Sequence, residues 1–599
     1  MADNELTFAN DDRLPRVPLP ELEDSCARFL DWCAPLLTAE ELATTEATVA
    51  SFLNRDSPAH TLQFALERYD AEEGVHSWLD TFWPYRYLGR RDRIALNANF
   101  FFLFEDSPLG QVDRAAELVA AAVAYKLLID EQHLPPVAQR GLPVSMEQNK
   151  YLFSATRIPG LTQDTARTPY SADWPGPSQA RHVVVLLHGN MFRLDVIAPD
   201  GSPYTTDELV AGLRAVMTAG ATPAPPGTSV GHLTTMARAE WAASRQALLS
   251  GHPGNAAMLD AVETALFCLC LEDTAVENPL QACDQLLRGQ GGNRWYDKSF
   301  SLIVFPDGTA GLNGEHCKLD GTTIVSLIDA ILDSPSHSGA VSGAPAYGRI
   351  EFVLDAALHT EIDAAATSFA AYAADAATTT LSIENFTSAH AKQLAMSPDA
   401  FAQMAFQLAH QRARGRLGAT YESIATRGFR HGRTEAMRVV TPEVVRFVAV
   451  MDDPTADEQI RRTALRAAAD IHVQRAKQCQ AGQTPEQHLW ELQLLQQRRG
   501  TELCATEPLA LYESPGWLIM RQDYLSTSAV PSPHVRYWGF GSTGATCIGI
   551  GYALLPDRFD LFLSAPRAIS EQLSAFAEAL PSAVRELHDL LAAEPEAPR

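Results

Sequence analysis

The sequence predicts a mixed α/β protein built in two large halves, and three observations carry that prediction. Residues 181–188 (RHVVVLLH) form an unbroken run of β-branched residues and leucines, the pattern of a strand buried on both faces. Residues 114–131 (RAAELVAAAVAYKLLIDE) combine strong helix formers with an apolar stripe. The 599 residues exceed one domain at roughly 100–200 residues each. A Ser/Gly/Pro/Ala-rich stretch, 334–348 (SPSHSGAVSGAPAYG), supplies a linker, so the halves join near residue 350.

The remaining elements follow in chain order. Pro15, Pro18 and Pro20 set an extended lead-in. Residues 21–53 show helical spacing for two helices, broken near residues 38–40. Residues 301–312 read as a hairpin, SLIVF and TAGL around Pro306-Asp307-Gly308. Residues 322–332 (TTIVSLIDAIL) are an amphipathic helix. After the linker, 349–354 (RIEFVL) read as a strand, and 356–376 and 398–414 as helices. Residues 533–564 alternate and carry many glycines, as strands of a sheet do. No short solenoid period is present.

Composition narrows the function classes. Lys and Arg total 47 against 73 Asp and Glu, a net charge of −26, which disfavours nucleic acid and anionic lipid as partners. Hydrophobic residues are 46% and charged residues 20%, so a large soluble core is available. No apolar run reaches the ~18–20 residues that span a bilayer. The first residues, MADNELTFANDDRLPR, lack a basic region followed by an apolar one, so no secretory signal is expected. The nine cysteines, an odd number without a zinc pattern, read as reduced thiols of a cytoplasmic protein.

Several motifs are decoys. Leu186-Leu187-His188-Gly189 resembles the strand end of an α/β-hydrolase, but no G-x-S-x-G elbow accompanies it. Residues 539–544 (GFGSTG) match G-x-G-x-x-G, yet a strand-like segment follows where a dinucleotide site needs a helix. His359 and Asp363 share a helix face and read as a solvated pair. His316 and Asp320 stand apart, because they lie between a hairpin and a helix, flanked by glycines, where function concentrates. Cys317 points away from His316 in an extended segment, so the two form no dyad.

Ordered blocks across residues 14–555 resemble the choline/carnitine O-acyltransferase family. They are the proline-rich entry at 14–20, Tyr87-Leu88-Gly89-Arg90, 152–160 (LFSATRIPG) and 294–299 (RWYDKS). Then come Glu315-His316 through Asp320-Gly321, Ser397-Pro398-Asp399-Ala400-Phe401, Thr420-Tyr421-Glu422-Ser423 and Gly432-Arg433-Thr434, and finally Ser526-Thr527-Ser528. In the Tyr-Leu-x-x-Arg block the arginine arrives one residue early. The resemblance implies two chloramphenicol-acetyltransferase-like domains facing each other across an active-site tunnel. It divides the chain into an N-terminal helical segment (1–75) packing on the C-terminal half, a catalytic domain (76–356) and a second domain (357–599).

The resemblance also implies the chemistry: a short acyl group passes from acyl-coenzyme A to the hydroxyl of a small cationic acceptor, with no metal. His316 is the expected general base, near-neutral imidazole being suited to that work. Asp320 either orients the ring or braces the turn, and Ser528 is the expected oxyanion donor. Lys392, Asp399 and Glu422 are expected at coenzyme A. Ser388 takes the place of a second lysine, so one phosphate-pairing charge is missing. Tyr87, Tyr421, Thr434, Gln487, Ser526, Trp538 and Phe540 are expected at the substrates. Gln487 replaces the arginine that holds the carnitine carboxylate, and choline enzymes have asparagine there. Ala436 fills a third selectivity position, so the pattern belongs to neither subfamily. Phe540 suits a cationic acceptor. Trp538 stands where a small residue opens the acyl pocket, so a short chain is expected. A carrier-protein thioester donor, and a non-catalytic thioester-binding relative, are the alternatives. A monomer is expected.

Overall fold

A computed structural model of the protein describes residues 6–334 and 343–593. Most of the predicted linker, 335–342, lies outside the described residues. The chain divides into two compact units. The first takes the lead up to Arg13, Pro84–Thr378 and Ser532–Gly541; the second takes Leu14–Trp83, Thr379–Pro531 and the chain from Ser542. Leu14–Trp83 groups with the later part of the chain, whereas Ser532–Gly541, read as part of the second domain, groups with the first unit. The difference arises because a strand late in the chain pairs with one near its start, a non-local choice that local composition does not encode.

The first unit holds an eight-stranded mixed sheet. Its order is Tyr347–Arg349, Asn190–Asp195, His182–Leu187, Cys268–Leu271, Phe300–Val304, Ala310–Gly314, Phe100–Phe104 and Val535–Phe540. Every residue of His182–Leu187 is buried, as the unbroken apolar run predicts. It turns into Asn190–Asp195 through His188 and Gly189, both at positive φ (52° and 75°), the backbone of a tight primed turn. The strand-end HG is therefore a hairpin turn. The hairpin of Phe300–Val304 and Ala310–Gly314 also forms, with Gly308 at φ 87°. A Cβ at Gly308 would meet the Leu109 carbonyl oxygen at 1.8 Å, so only glycine fits. The predicted strand 349–354 is mostly absent: Tyr347–Arg349 closes the sheet edge, and beyond it Val353 N–H turns to the Asn255 side chain at 2.8 Å. Gln111–Asp130, Gly321–Leu332 and Ala356–Ala374 are helices, as read. His359 is less solvated than expected, its ring bound to the Gly227 carbonyl at 2.8 Å.

The second unit holds a six-stranded mixed sheet. Its order is Ala376–Ser382, Phe559–Pro566, Ile548–Leu554, Leu525–Ala529, Thr420–Ala425 and Thr434–Arg438. The three strands Thr420–Ala425, Leu525–Ala529 and Ile548–Leu554 run parallel, as do His182–Leu187, Cys268–Leu271 and Phe300–Val304 in the first unit. Helix Pro398–Arg414 starts where Ser397 caps it and proline occupies the first turn, and it packs against Ser570–Ala592. The early helices Leu22–Cys33 and Ala39–Phe52 pack on Pro515–Arg521. Thr38 separates them, closing a capping box with Glu41. The glycine-rich 539–544 segment ends the strand Val535–Phe540 and starts no helix. Among the described residues no helix is long and apolar enough to cross a membrane.

Candidate active site

The hairpin of the first unit delivers Glu315 and His316 from the end of Ala310–Gly314. Gly314 permits a close approach there, since a Cβ would lie 2.7 Å from Ile324 Cδ1. His316 is half-buried. Its Nδ1 lies 3.0 Å from the Leu319 carbonyl oxygen. A carbonyl only accepts, so Nδ1 carries the proton and Nε2 holds the basic lone pair. Asp320 Oδ1 is 3.7 Å from Nδ1, beyond hydrogen-bond distance. Asp320 Oδ2 instead accepts from Gln148 Nε2 at 2.8 Å, while Gln148 Oε1 accepts from the Asp320 and Thr323 donors at 2.8 and 2.9 Å. The carbonyl thus orients the ring, and Asp320 braces the turn while adding negative charge nearby. Cys317 is buried, and burial holds its thiol well above the usual range, so it is no nucleophile.

Two rings pack against the imidazole. Tyr87 stacks on it at 5.1 Å and 12°, and Phe100 lies 4.4 Å away at 42°. An aromatic run continues from Phe100 to Phe102 (5.6 Å), from Phe102 to Trp538 (5.8 Å, 17°), and from Trp538 to Phe540 (5.7 Å). Antiparallel pairing produces it, with Phe100 opposite Phe540 and Phe102 opposite Trp538.

A buried ion ladder lies behind the histidine. Asp164 Oδ2 accepts from Arg157 Nε and Arg238 Nε, both at 2.6 Å, and Oδ1 accepts from Arg91 at 2.9 Å and the Gly160 N–H at 3.0 Å. Arg157 also pairs with Glu315 at 2.9 Å, and Arg238 with Asp297 at 2.8 Å. Burial pushes the Asp164 carboxyl up, but Arg238 and Arg157 outweigh it and hold the group below its usual value. Asp297 is pushed up to about 6 by burial, which Arg238 and the Trp241 N–H only partly offset.

Sequence reasoning assigned no role to Arg157, Glu315, Gln148 or Arg91. Arg157 and Glu315 stand inside quoted blocks, and Arg91 meets the Tyr-Leu-x-x-Arg spacing that the reading placed one residue early at Arg90. Gln148 had no sequence signal.

The second unit carries the other expected residues. Leu525–Ala529 runs between Thr420–Ala425 and Ile548–Leu554. Ser526 and Ser528 share one face by strand alternation, Ser526 buried and Ser528 half-buried. Thr527, on the other face, donates to the Tyr421 carbonyl and accepts from Gln403 Nε2, each at 2.9 Å. Beside it lie Asp399, Glu422 and His472, whose ligand-type atoms fall within 4.8 Å of one another. Tyr552 Oη donates to Asp399 Oδ1 at 2.5 Å, and His472 Nε2 is 2.8 Å from Glu422 Oε2. Burial and the Asp399 charge push the Glu422 carboxyl well above its usual range, with His472 opposing. These groups are of metal-ligating types, and hydrogen bonds join His472 to Glu422 and Tyr552 to Asp399. Lys392 is exposed on the short helix Ser388–Gln393, whereas Ser388, expected at the coenzyme, is buried at 5% exposure.

Of the acceptor candidates, Tyr421, Thr434 and Ala436 lie on paired strands of the same unit, Gln487 on the helix Glu486–Arg499, and Phe540 in the first unit. Tyr421 is opposite Arg438, Ser423 opposite Ala436, and Ala425 opposite Thr434. The Arg438 guanidinium sits 5.8 Å from the Tyr421 ring centroid and forks onto Glu486 at 2.7 and 2.8 Å. Gln487 is buried, and its Nε2 donates to the Thr434 carbonyl at 2.8 Å. That bond fixes the amide orientation and leaves Oε1 buried with no hydrogen-bond partner among the described residues.

A family model described as Choline/Carnitine o-acyltransferase matches residues 17–582. Carnitine O-palmitoyltransferase 2, mitochondrial, of Rattus norvegicus is 32% identical over 607 residues, covering 92% of this chain and 88% of that protein. Carnitine O-acetyltransferase of Columba livia is 30% identical over 611 residues, covering 97% and 94%. Among solved structures, trichothecene 15-O-acetyltransferase from Fusarium sporotrichioides matches at 10% identity and TM-score 0.39, covering 83% of this chain and 93% of that one.

Proposed function

The chain belongs to the choline/carnitine O-acyltransferase family and is an O-acyltransferase, and from that premise we propose that it moves a short acyl group from acyl-coenzyme A to the hydroxyl of a small cationic acceptor lacking a carboxylate. The observation that carries the reading is the His316 ring, with its Nδ1 proton committed to the Leu319 carbonyl and Nε2 left basic. Nε2 takes the hydroxyl proton as the acceptor oxygen attacks the thioester carbonyl. The tetrahedral oxyanion receives a hydrogen bond from the Ser528 hydroxyl. The C–S bond then breaks, and the imidazolium returns its proton to the departing thiolate. Such general-base work supplies about 10²–10⁴-fold.

Lys392 is assigned to the 3′-phosphate of the coenzyme as a point charge, with Asp399 and Glu422 along the coenzyme groove. The buried Ser388 adds no second charge. The relatives named above act on palmitoyl and acetyl groups. The aromatic run from His316 to Trp538 supports the short end of that range, because a long chain laid beside the base would have to displace a stacked indole. Phe540 at the end of the run supplies a ring face for an ammonium group.

Gln487 supports the absence of a carboxylate. Its amide is neutral and its Nε2 is already given to the Thr434 carbonyl, so it offers a carboxylate no charge-assisted donor. Thiol release from acetyl-coenzyme A, measured over a panel of hydroxylated ammonium compounds, tests the reading. Carboxylate-free acceptors are expected to give the higher kcat/KM, and Gln487→Arg is expected to move preference toward carnitine by about 10–100-fold, the worth of one charge-assisted hydrogen bond. Wild-type preference for carnitine contradicts the acceptor class.

A further inference from the structure

We propose that Arg157 is a positioning residue for the transfer reaction, holding the His316 imidazole in its reactive pose through two separate arms. The inference rests on the reading of His316 as the base. The Arg157 side chain is fully buried, and its three nitrogens diverge to three partners.

The first arm, Nη1, reaches Glu315 Oε1 at 2.9 Å. The other oxygen of that carboxylate accepts the Cys317 N–H at 2.7 Å. Glu315 and Cys317 flank His316 in sequence, so one carboxylate ties down the backbone on both sides of the histidine. The second arm, Nη2, donates to the Tyr87 carbonyl at 2.7 Å. Tyr87 carries the ring stacked on the imidazole at 5.1 Å and 12°. The same guanidinium therefore fixes the segment that bears the base and the ring that limits its tilt.

The third nitrogen keeps Arg157 from swinging. Nε binds Asp164 at 2.6 Å, and Asp164 is held in turn by Arg238, Arg91 and the Gly160 N–H. The Arg157 backbone N–H is bound to the Asp297 carbonyl at 2.8 Å. Arginine is required for this geometry, because a lysine ammonium on a flexible stem does not present three donors in a fixed fork. A ladder of purely structural value would stabilise the fold and leave the folded enzyme's turnover untouched. A ladder that positions the base costs turnover when loosened, since misplacement by about 1 Å costs on the order of 10²-fold.

The experiment uses the full chain with Arg157→Lys, Glu315→Gln, His316→Ala and the Glu315→Gln/His316→Ala double variant. Melting temperature, kcat and KM for acetyl-coenzyme A are measured for each. Glu315→Gln keeps the size of the side chain and removes its charge, so it reads the first arm even where Arg157→Lys fails to fold. The expected result is a kcat loss of about 10–100-fold in Glu315→Gln with KM for the coenzyme unchanged, and no further loss when the change is added to His316→Ala. Wild-type kcat in folded Glu315→Gln, or a full additive loss on the His316→Ala background, overturns the inference. Wild-type kcat in His316→Ala overturns the underlying base reading instead, so the two failures are distinguishable.

Discussion

Asp164 in the first unit and Glu422 in the second are both buried carboxyls beside functional strands, yet their surroundings differ in sign. Around Asp164, three arginines (Arg91, Arg157, Arg238) face three acids (Asp164, Glu315, Asp297), and the carboxyl is held low. Around Glu422, the acid Asp399 adds to burial and only His472 opposes, so the carboxyl is pushed up. Glu422 raises the His472 imidazole in turn, outweighing its burial. The first unit thus has a charge-compensated scaffold behind His316. The second has a raised Glu422 carboxyl bonded to His472, and among the described residues its Gln487 Oε1 has no hydrogen-bond partner. A charge-compensated network suits fixed geometry, whereas the second unit leaves buried polar groups less fully paired.

The largest expected effect breaks the first side of this comparison. Asp164→Asn leaves Arg157 and Arg238 short of their shared partner and is expected to cost about 3–5 kcal/mol of stability. Urea unfolding checks it, and a loss no larger than that of an exposed carboxylate argues against the ladder. Next, Ser528→Ala is expected to lower kcat by about 10²–10³-fold with little change in unfolding midpoint. Steady-state kinetics at saturating acetyl-coenzyme A reads it, and an unchanged kcat removes Ser528 from the oxyanion role.

A smaller effect sharpens the account of the aromatic run. Trp538→Gly is expected to shift acyl preference toward longer chains, each added methylene gaining up to about 0.8 kcal/mol, and Phe102→Ala is expected to extend the shift. A chain-length series of acyl-coenzymes A measures this. An unaltered profile in the double variant shows that the run does not face the acyl chain.

The smallest effect concerns pH. Because Glu422 is raised in the fold, the folded state binds more protons than the unfolded one above the usual glutamate value. The contribution of this group to stability is therefore fully present below about pH 4.3 and is lost as pH rises through the raised value, at about 1.4 kcal/mol per unit. The raised His472 acts in the same direction. Glu422→Gln is expected to flatten this decline, as compared by urea midpoints between about pH 5 and pH 8. An equal slope in the variant contradicts the raised Glu422 carboxyl.

Features of the molecule with local causes were legible in its sequence. The helix Pro398–Arg414 begins at its Ser-Pro signal, and the buried strand His182–Leu187 follows its apolar run. The turn between hairpin and helix already set His316 apart, whereas Ser528 was brought out only by the ordered family blocks, since nothing local separates it from an ordinary turn serine. Long-range choices were not legible. Val535–Phe540 pairs with Phe100–Phe104 more than 400 residues away, and Asp164 gathers arginines from three separate segments. The duties of Asp320 depend on 3.7 Å to the ring against 2.8 Å to Gln148, a distinction only coordinates supply.

The central claim is that the His316 imidazole is the base of an acyl transfer. The most direct measurement is acceptor-dependent thiol release from acetyl-coenzyme A by wild type and His316→Ala at matched folded concentration. The account predicts release by wild type and a fall in kcat of about 10²–10⁴-fold in the variant. Equal release by the two proteins contradicts it.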